Sequence, residues 1–95
     1  MNQYEVLYLI TPELDEEANR AVMDKFAGII TGNGGEIVKQ DEWGKRKLAY
    51  AIDYKTEGSY VLVTFNAPAE LPRELERNFR NDERILRYMV TRKEA

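Results

Sequence analysis

Apolar positions along this chain switch between a period of two and a period of about four, and each switch marks a change of element. QYEVLYLI (3–10) is rich in aromatic and branched residues and too short for a typical helix, which predicts a first strand. It is apolar on both sides, with Val6, Tyr8 and Ile10 on one and Leu7 and Leu9 on the other. TPELDEE (11–17) supplies a turn in which Asp15 is placed to cap a helix and Glu16 and Glu17 to favour its positive end. Leu14, Ala18, Val22 and Phe26 then recur every four residues, joined by Ala21, Ile29 and Ile30, until GNGG (32–35) ends the helix. Glu16 and Arg20 are spaced for a weak i,i+4 pair on its exposed side.

From Glu36 to Ile52 the helical period is gone. Ile37, Val38 and Trp43, followed by Leu48, Tyr50 and Ile52, predict one long strand interrupted near Gly44, where an interior glycine suggests a bulge. DYKTEGS (53–59) predicts a hairpin turn and YVLVTF (60–65) the next strand. Pro68 and Pro72 punctuate the entry to a second helix carried by Leu71, Leu75 and Phe79, which RND (80–82) breaks. ILRYMVT (85–91) is the last strand. The order β-α-β-β-α-β predicts an α+β, ferredoxin-like fold, with two helices on one face of a four-stranded antiparallel sheet. Residues 1–95 are expected to form one such domain.

Two helices cover one face only. With Val6, Tyr8, Ile10, Val61, Val63, Phe65, Tyr88 and Val90 beneath them, Leu7, Leu9, Tyr60, Leu62 and Met89 fall on the open face, with Arg87 beside Met89. An exposed apolar patch of that kind predicts a protein partner or self-association.

Composition narrows the chemistry. The chain has no cysteine and no histidine, which removes disulfides, thiolate sites, the commonest general base and the commonest metal ligand. No apolar run approaches the ~20 residues of a membrane span and no signal-peptide pattern opens the chain, so a cytoplasmic protein is expected. Glu16–Glu17 and Glu74–Glu76 stand at positions of a solvated helix face. The glycines of GNGG close a helix, whereas a phosphate-binding turn opens one. TPELDEE after the first strand is acidic and repels the anion that a phosphatase of this fold binds there. Neither an enzyme nor a cofactor nor a small-molecule substrate is expected.

Nucleic acid is better served. The net charge of −3 hides a division: residues 1–41 hold 3 basic and 8 acidic side chains, residues 42–95 hold 11 and 9. Lys45, Arg46 and Lys47 are consecutive, and an extended strand sends the two lysines to one side and Arg46 to the other. Arg73, Arg77, Arg80, Arg84, Arg87, Arg92 and Lys93 form a second series, of which the first four have helical spacing and are interleaved with acids. A base-stacking sheet of the RNA-recognition type is disfavoured. GSYVLVTF (58–65) keeps Tyr60, Val63 and Phe65 of that motif, but lacks its leading base, its small residues and its central aromatic, where Leu62 stands.

YEVLYLITPEL (4–14), GGEIVKQDEWGKRKLAYAI (34–52) and FRNDERILRYMV (79–90), in this order and spacing, resemble the bacterial small-subunit ribosomal protein six family over nearly the whole chain. The Trp-Gly-basic-Arg-basic-Leu-Ala-Tyr run is the most specific part. The resemblance implies a non-enzymatic structural constituent of the small ribosomal subunit that pairs with small-subunit ribosomal protein eighteen and binds the central domain of 16S rRNA. It implies an RNA side formed by Lys45, Arg46 and Lys47, with Arg92 and Lys93, and a partner side formed by Leu7, Leu9, Tyr60, Leu62, Arg87 and Met89. Two departures stand out: Ala51 follows the Tyr where family members commonly have Pro, and the chain ends at Ala95 where many carry a charged tail, so no tail-dependent interaction is expected. The alternative is a homo-oligomeric small-molecule-sensing domain of the same fold, which buries its open face on itself and needs no cluster at 45–47.

Overall fold

The computed structural model describes residues 1–52 and 54–93. The elements are β1 (Asn2–Ile10), α1 (Glu16–Gly32), β2 (Glu36–Ile52), β3 (Lys55–Ala67), α2 (Leu71–Arg80) and β4 (Ile85–Lys93). The strands form one antiparallel sheet in the order β2-β3-β1-β4. This is the predicted α+β, ferredoxin-like arrangement.

The two most buried strands lie at its centre. Val6 pairs with Val63 on one side and Val90 on the other, and Leu7 pairs with Leu62 and Met89. A register slip of one residue would turn Val6, Tyr8, Ile10, Val63 and Phe65 away from the helices. Beneath the helices, Val6, Tyr8, Ile10, Val61, Val63 and Phe65 are buried. Tyr88 and Val90 pack against them while keeping some exposure.

Four aromatic rings tie the helices to the sheet. Phe26 of α1 stacks on Phe79 of α2 at 4.1 Å between centroids, and Phe79 also meets Tyr8 of β1 at 5.0 Å and Tyr88 of β4 at 5.3 Å. Such pairs add about 0.5–1.5 kcal/mol each beyond the area they bury. The Tyr8 hydroxyl has no hydrogen-bond partner among the described residues, and burial raises its pKa well above the ordinary value of 10.0.

The helix ends follow from local chemistry. Asp15 caps α1, its Oδ1 accepting from the Ala18 N–H at 2.7 Å. The helix ends as Gly34 takes φ 87° and Gly35 donates to the Ile30 carbonyl at 2.9 Å. A Cβ on Gly35 would stand 2.8 Å from that same carbonyl oxygen, so the chain passes closely under the helix end it leaves. Two expectations on this helix need correction. Ala21 is exposed, and Met23, two residues on and on the other side of the helix, is in the core. Glu16 and Arg20 form no ion pair among the described residues.

The hairpin is longer than its pattern suggested. Lys55–Ser59, expected as turn, belong to β3, and the expected turn residue Asp53 lies outside the described residues. The polar residues of 55–59 mask a strand because Glu57 to Ser59 pair with the equally polar Lys45 to Lys47 of β2, and only Ser59 also reaches the core strand β1.

The RND break is held by Asp82, which is 8 % exposed. Its Oδ1 accepts from the backbone N–H and Nε of Arg84 at 3.0 and 2.9 Å, and its Oδ2 from Arg84 Nη2 at 2.7 Å and Lys25 Nζ at 2.8 Å. One carboxylate thus shapes the turn into β4 and ties it to α1. These charge-assisted bonds, chiefly those from Arg84, hold its pKa well below the ordinary 3.8. A depressed pKa contributes stability that is present above the unfolded value and lost as pH falls through the folded one. The variant Asp82→Asn is expected to lose about 1–3 kcal/mol at pH 7. That deficit should shrink as pH falls below about 4. Denaturant titrations at several pH values check this; a deficit independent of pH would show that the charge is irrelevant.

Candidate functional site

The basic run begins at a bulge. Pairing between β2 and β3 shifts register between Glu42 and Gly44, and Gly44 adopts φ 76°. Glu42 stands opposite Val61, while Trp43 and Gly44 together stand opposite Tyr60. Lys45, Arg46 and Lys47 then pair with Ser59, Gly58 and Glu57. Opposed residues share a face, so Arg46 lies on the open face with Tyr60, and Lys45 and Lys47 lie on the helix side. The expected split of the three bases is therefore present.

Their surroundings differ. The Arg46 guanidinium lies over the Trp43 ring, 5.7 Å from its centroid, and Trp43 in turn meets Tyr60 at 6.0 Å. Lys45 borders a polar recess with Asp15, Glu16, Asn19 and Glu42 at the start of α1. All three bases are exposed, and none is in an ion pair with another described residue.

The far end of the hairpin leans over the open face. Arg87 of β4 donates from Nη1 to the Tyr50 hydroxyl of β2 at 2.7 Å, although these strands are opposite edges of the sheet. The bond therefore closes over β3 and β1. Lys55 and Glu13 form an ion pair that ties the turn end of the hairpin to the loop after β1.

This changes the partner side. Leu7, Tyr60 and Leu62 are partly exposed and Met89 is 55 % exposed, as an open face requires. Leu9 does not share in that exposure: it is 1 % exposed, and its expected place on a free surface is corrected here. The cause is Gly58, where an added Cβ would stand 2.5 Å from Leu9 Cδ1. The β3 backbone lies directly on Leu9. What stays open is a recess of about 250 Å³ lined by Leu7, Leu9, Tyr60, Arg87, Tyr88 and Met89.

Arg92 and Lys93 are not gathered with the 45–47 cluster. They end β4, on the opposite edge, where Arg92 donates to Asn2 Oδ1 at 2.9 Å and Lys93 stands 3.7 Å from Glu5. The four arginines at helical spacing form no stripe. Helix α2 stops at Arg80, Arg77 is paired with Glu74 at 2.8 Å, and Arg84 is bound to Asp82. That pair holds the Glu74 pKa below its ordinary value through the Arg77 hydrogen bonds. The Arg46–Trp43–Tyr60 row and the Tyr50–Arg87 bond were missed from sequence. The signal for the row was Gly44 itself, since a bulge there reverses the alternation and brings Trp43 and Arg46 to one side.

Comparison with known proteins is decisive on ancestry. The family model described as ribosomal protein S6 matches residues 3–92. The chain belongs to the ribosomal protein S6 family. Its relatives in that family include the small ribosomal subunit protein bS6 of Clostridium novyi, 50% identical over 94 residues that cover 99% of each chain. The bS6 of Thermoanaerobacter pseudethanolicus is 47% identical over 92 residues, 97% of each chain. The crystal structure of 30S ribosomal protein S6 from Thermotoga maritima superposes with a TM-score of 0.93 at 30% identity, covering 97% of this chain and 87% of that one. The S6 fold and the resemblance read from the three sequence runs are both confirmed.

The Leu9–Gly58 contact yields a prediction. Gly58→Ala forces a methyl into Leu9 and the Ile10 carbonyl, 3.0 Å away, and is expected to cost about 1–3 kcal/mol. Leu9→Ala should relieve much of that cost in the double variant, since it removes the clashing atoms. Denaturant unfolding of the single and double variants measures the coupling; strictly additive losses would mean that the two residues do not press on each other.

Proposed function

We propose that this chain is a structural constituent of the small ribosomal subunit, working in the cytoplasm. In this reading it binds the central domain of 16S rRNA together with small-subunit ribosomal protein eighteen. Membership of the S6 family supports the ribosomal part. The observation that carries the RNA part is the cluster at 45–47, exposed and in no ion pair with another described residue, because three adjacent cations repel one another and gain most when an anion lies between them. In this reading Arg46 grips a phosphate through its planar fork, and Lys45 and Lys47 add charge from the other side of the strand. Arg92 and Lys93 reach RNA only as a separate contact at the far edge of the sheet.

The partner docks on the open face, against Leu7, Tyr60, Leu62, Arg87 and Met89, with Leu9 as the buried floor beneath. The exposed Met89 and the adjoining recess support this, since a water-filled apolar hollow is a favourable place for a partner side chain. The fold supplies no residues for catalysis in this reading, and the chain acts by binding alone. The alternative of a self-associating small-molecule sensor has no observation in its favour beyond the same recess, and it leaves the 45–47 cluster unexplained.

Two measurements test the two surfaces separately. Changing Lys45, Arg46 and Lys47 together to Ala is expected to weaken assembly of the protein pair onto rRNA and to flatten its salt dependence by up to about three phosphate contacts. Binding between the two proteins should be unaffected, and an unaltered salt slope would return the cluster to a merely solvated surface. Leu62→Asp is expected to do the converse. A carboxylate buried in an apolar contact costs about 2 kcal/mol or more, so pairing with protein eighteen weakens while the circular dichroism spectrum stays native. Undiminished pairing by calorimetry would remove this face from the interface.

A further inference from the structure

We infer that Trp43 is a positioning residue for Arg46, holding its guanidinium ready for the phosphate before RNA arrives. The inference rests on the phosphate-contact reading of Arg46 given above.

Trp43 is 42 % exposed, and it is the one tryptophan of the chain. A large ring left that open contributes little to the core, and Trp43 is outside the buried cluster. Its contacts run along the surface instead: Tyr60 braces one part of it at 6.0 Å, and Arg46 lies over the ring at 5.7 Å, within range of a cation–π attraction.

The strand has to be distorted to achieve this. In a regular strand, residues three apart point to opposite faces. Trp43 and Arg46 share a face only because Trp43 and Gly44 together oppose Tyr60, and that bulge depends on the positive φ at Gly44. The lysines on either side of Arg46 keep the other parity and cannot reach the ring. A planar, delocalised guanidinium is also the basic group that stacks best on an aromatic face while leaving its edge N–H donors free. An unrestrained arginine loses rotamer freedom when it binds, and a stacked one has lost much of it beforehand.

The test is a double-mutant cycle on Trp43 and Arg46, read by binding of the protein pair to a 16S rRNA central-domain fragment across a salt titration. Trp43→Leu is expected to weaken binding roughly two- to five-fold with the salt slope unchanged, because the charge is still present. Trp43→Phe, which keeps a ring, should recover most of the loss. In an Arg46→Ala background, Trp43→Leu should have no further effect. An equal loss with and without Arg46 would overturn the inference, since Trp43 would then act on RNA or protein directly. Arg46→Ala leaving both affinity and salt slope intact would sink the phosphate-contact reading, and with it the role of Trp43. The free protein separates these failures. Removing Arg46 should raise acrylamide quenching of the tryptophan emission if the stack forms in solution, whatever RNA does, and unchanged quenching would refute the stack itself.

Discussion

A four-stranded sheet has two faces, and two helices can dry only one of them. Here the central strands are apolar on both sides, so the burial that builds the core also creates a second surface that the domain must deal with. On the helix side the problem is solved by aromatic packing, with Phe79 in contact with rings from both outer layers of the fold. On the other side it is solved in part by the chain itself. The β2–β3 hairpin leans inward, Gly58 presses on Leu9, and Tyr50 meets Arg87 over the intervening strands. The remainder, around Met89 and Leu62, is the surface assigned to a partner.

The bulge at Gly44 links this packing problem to the chemistry. One extra residue in β2 reverses the alternation, and so decides which face takes Arg46 and which takes the two lysines. Arg46 joins Trp43 and Tyr60 on the open side. Lys45 and Lys47 face the helix side, where Lys45 borders acidic groups at the start of α1 that lower the field around it. The acidic first half of the chain therefore does more than set the net charge; it makes the two sides of one strand electrostatically unequal.

Much of the fold could be read from the sequence because the signals were local or periodic. Asp15, Leu71, Leu75 and Phe79 act where their spacing placed them, and the glycine at 44 marks a real break in the strand. Readings failed where the deciding contact was distant in the chain. Leu9 has the right parity for the open face and is nevertheless covered, because the residue above it is 49 positions away and lacks a side chain. The arginines of 73–84 have helical spacing, but the charge of Arg77 is absorbed by Glu74 and that of Arg84 by the turn carboxylate of Asp82. Spacing reports which side of an element a residue occupies; it carries no information on what another element lays over it.

The strand order has a consequence for synthesis. β1 is made first, yet its two neighbours are β3 and β4, and Tyr4 pairs with Arg92 near the other end of the chain. As the polypeptide leaves the ribosome, β1 must wait with one edge unpaired until β4 has emerged. Closing so wide a loop is entropically demanding, which delays the final step of folding rather than weakening the finished product. The nascent protein thus keeps an adhesive edge while the five elements before β4 are made, and only β4 shields it.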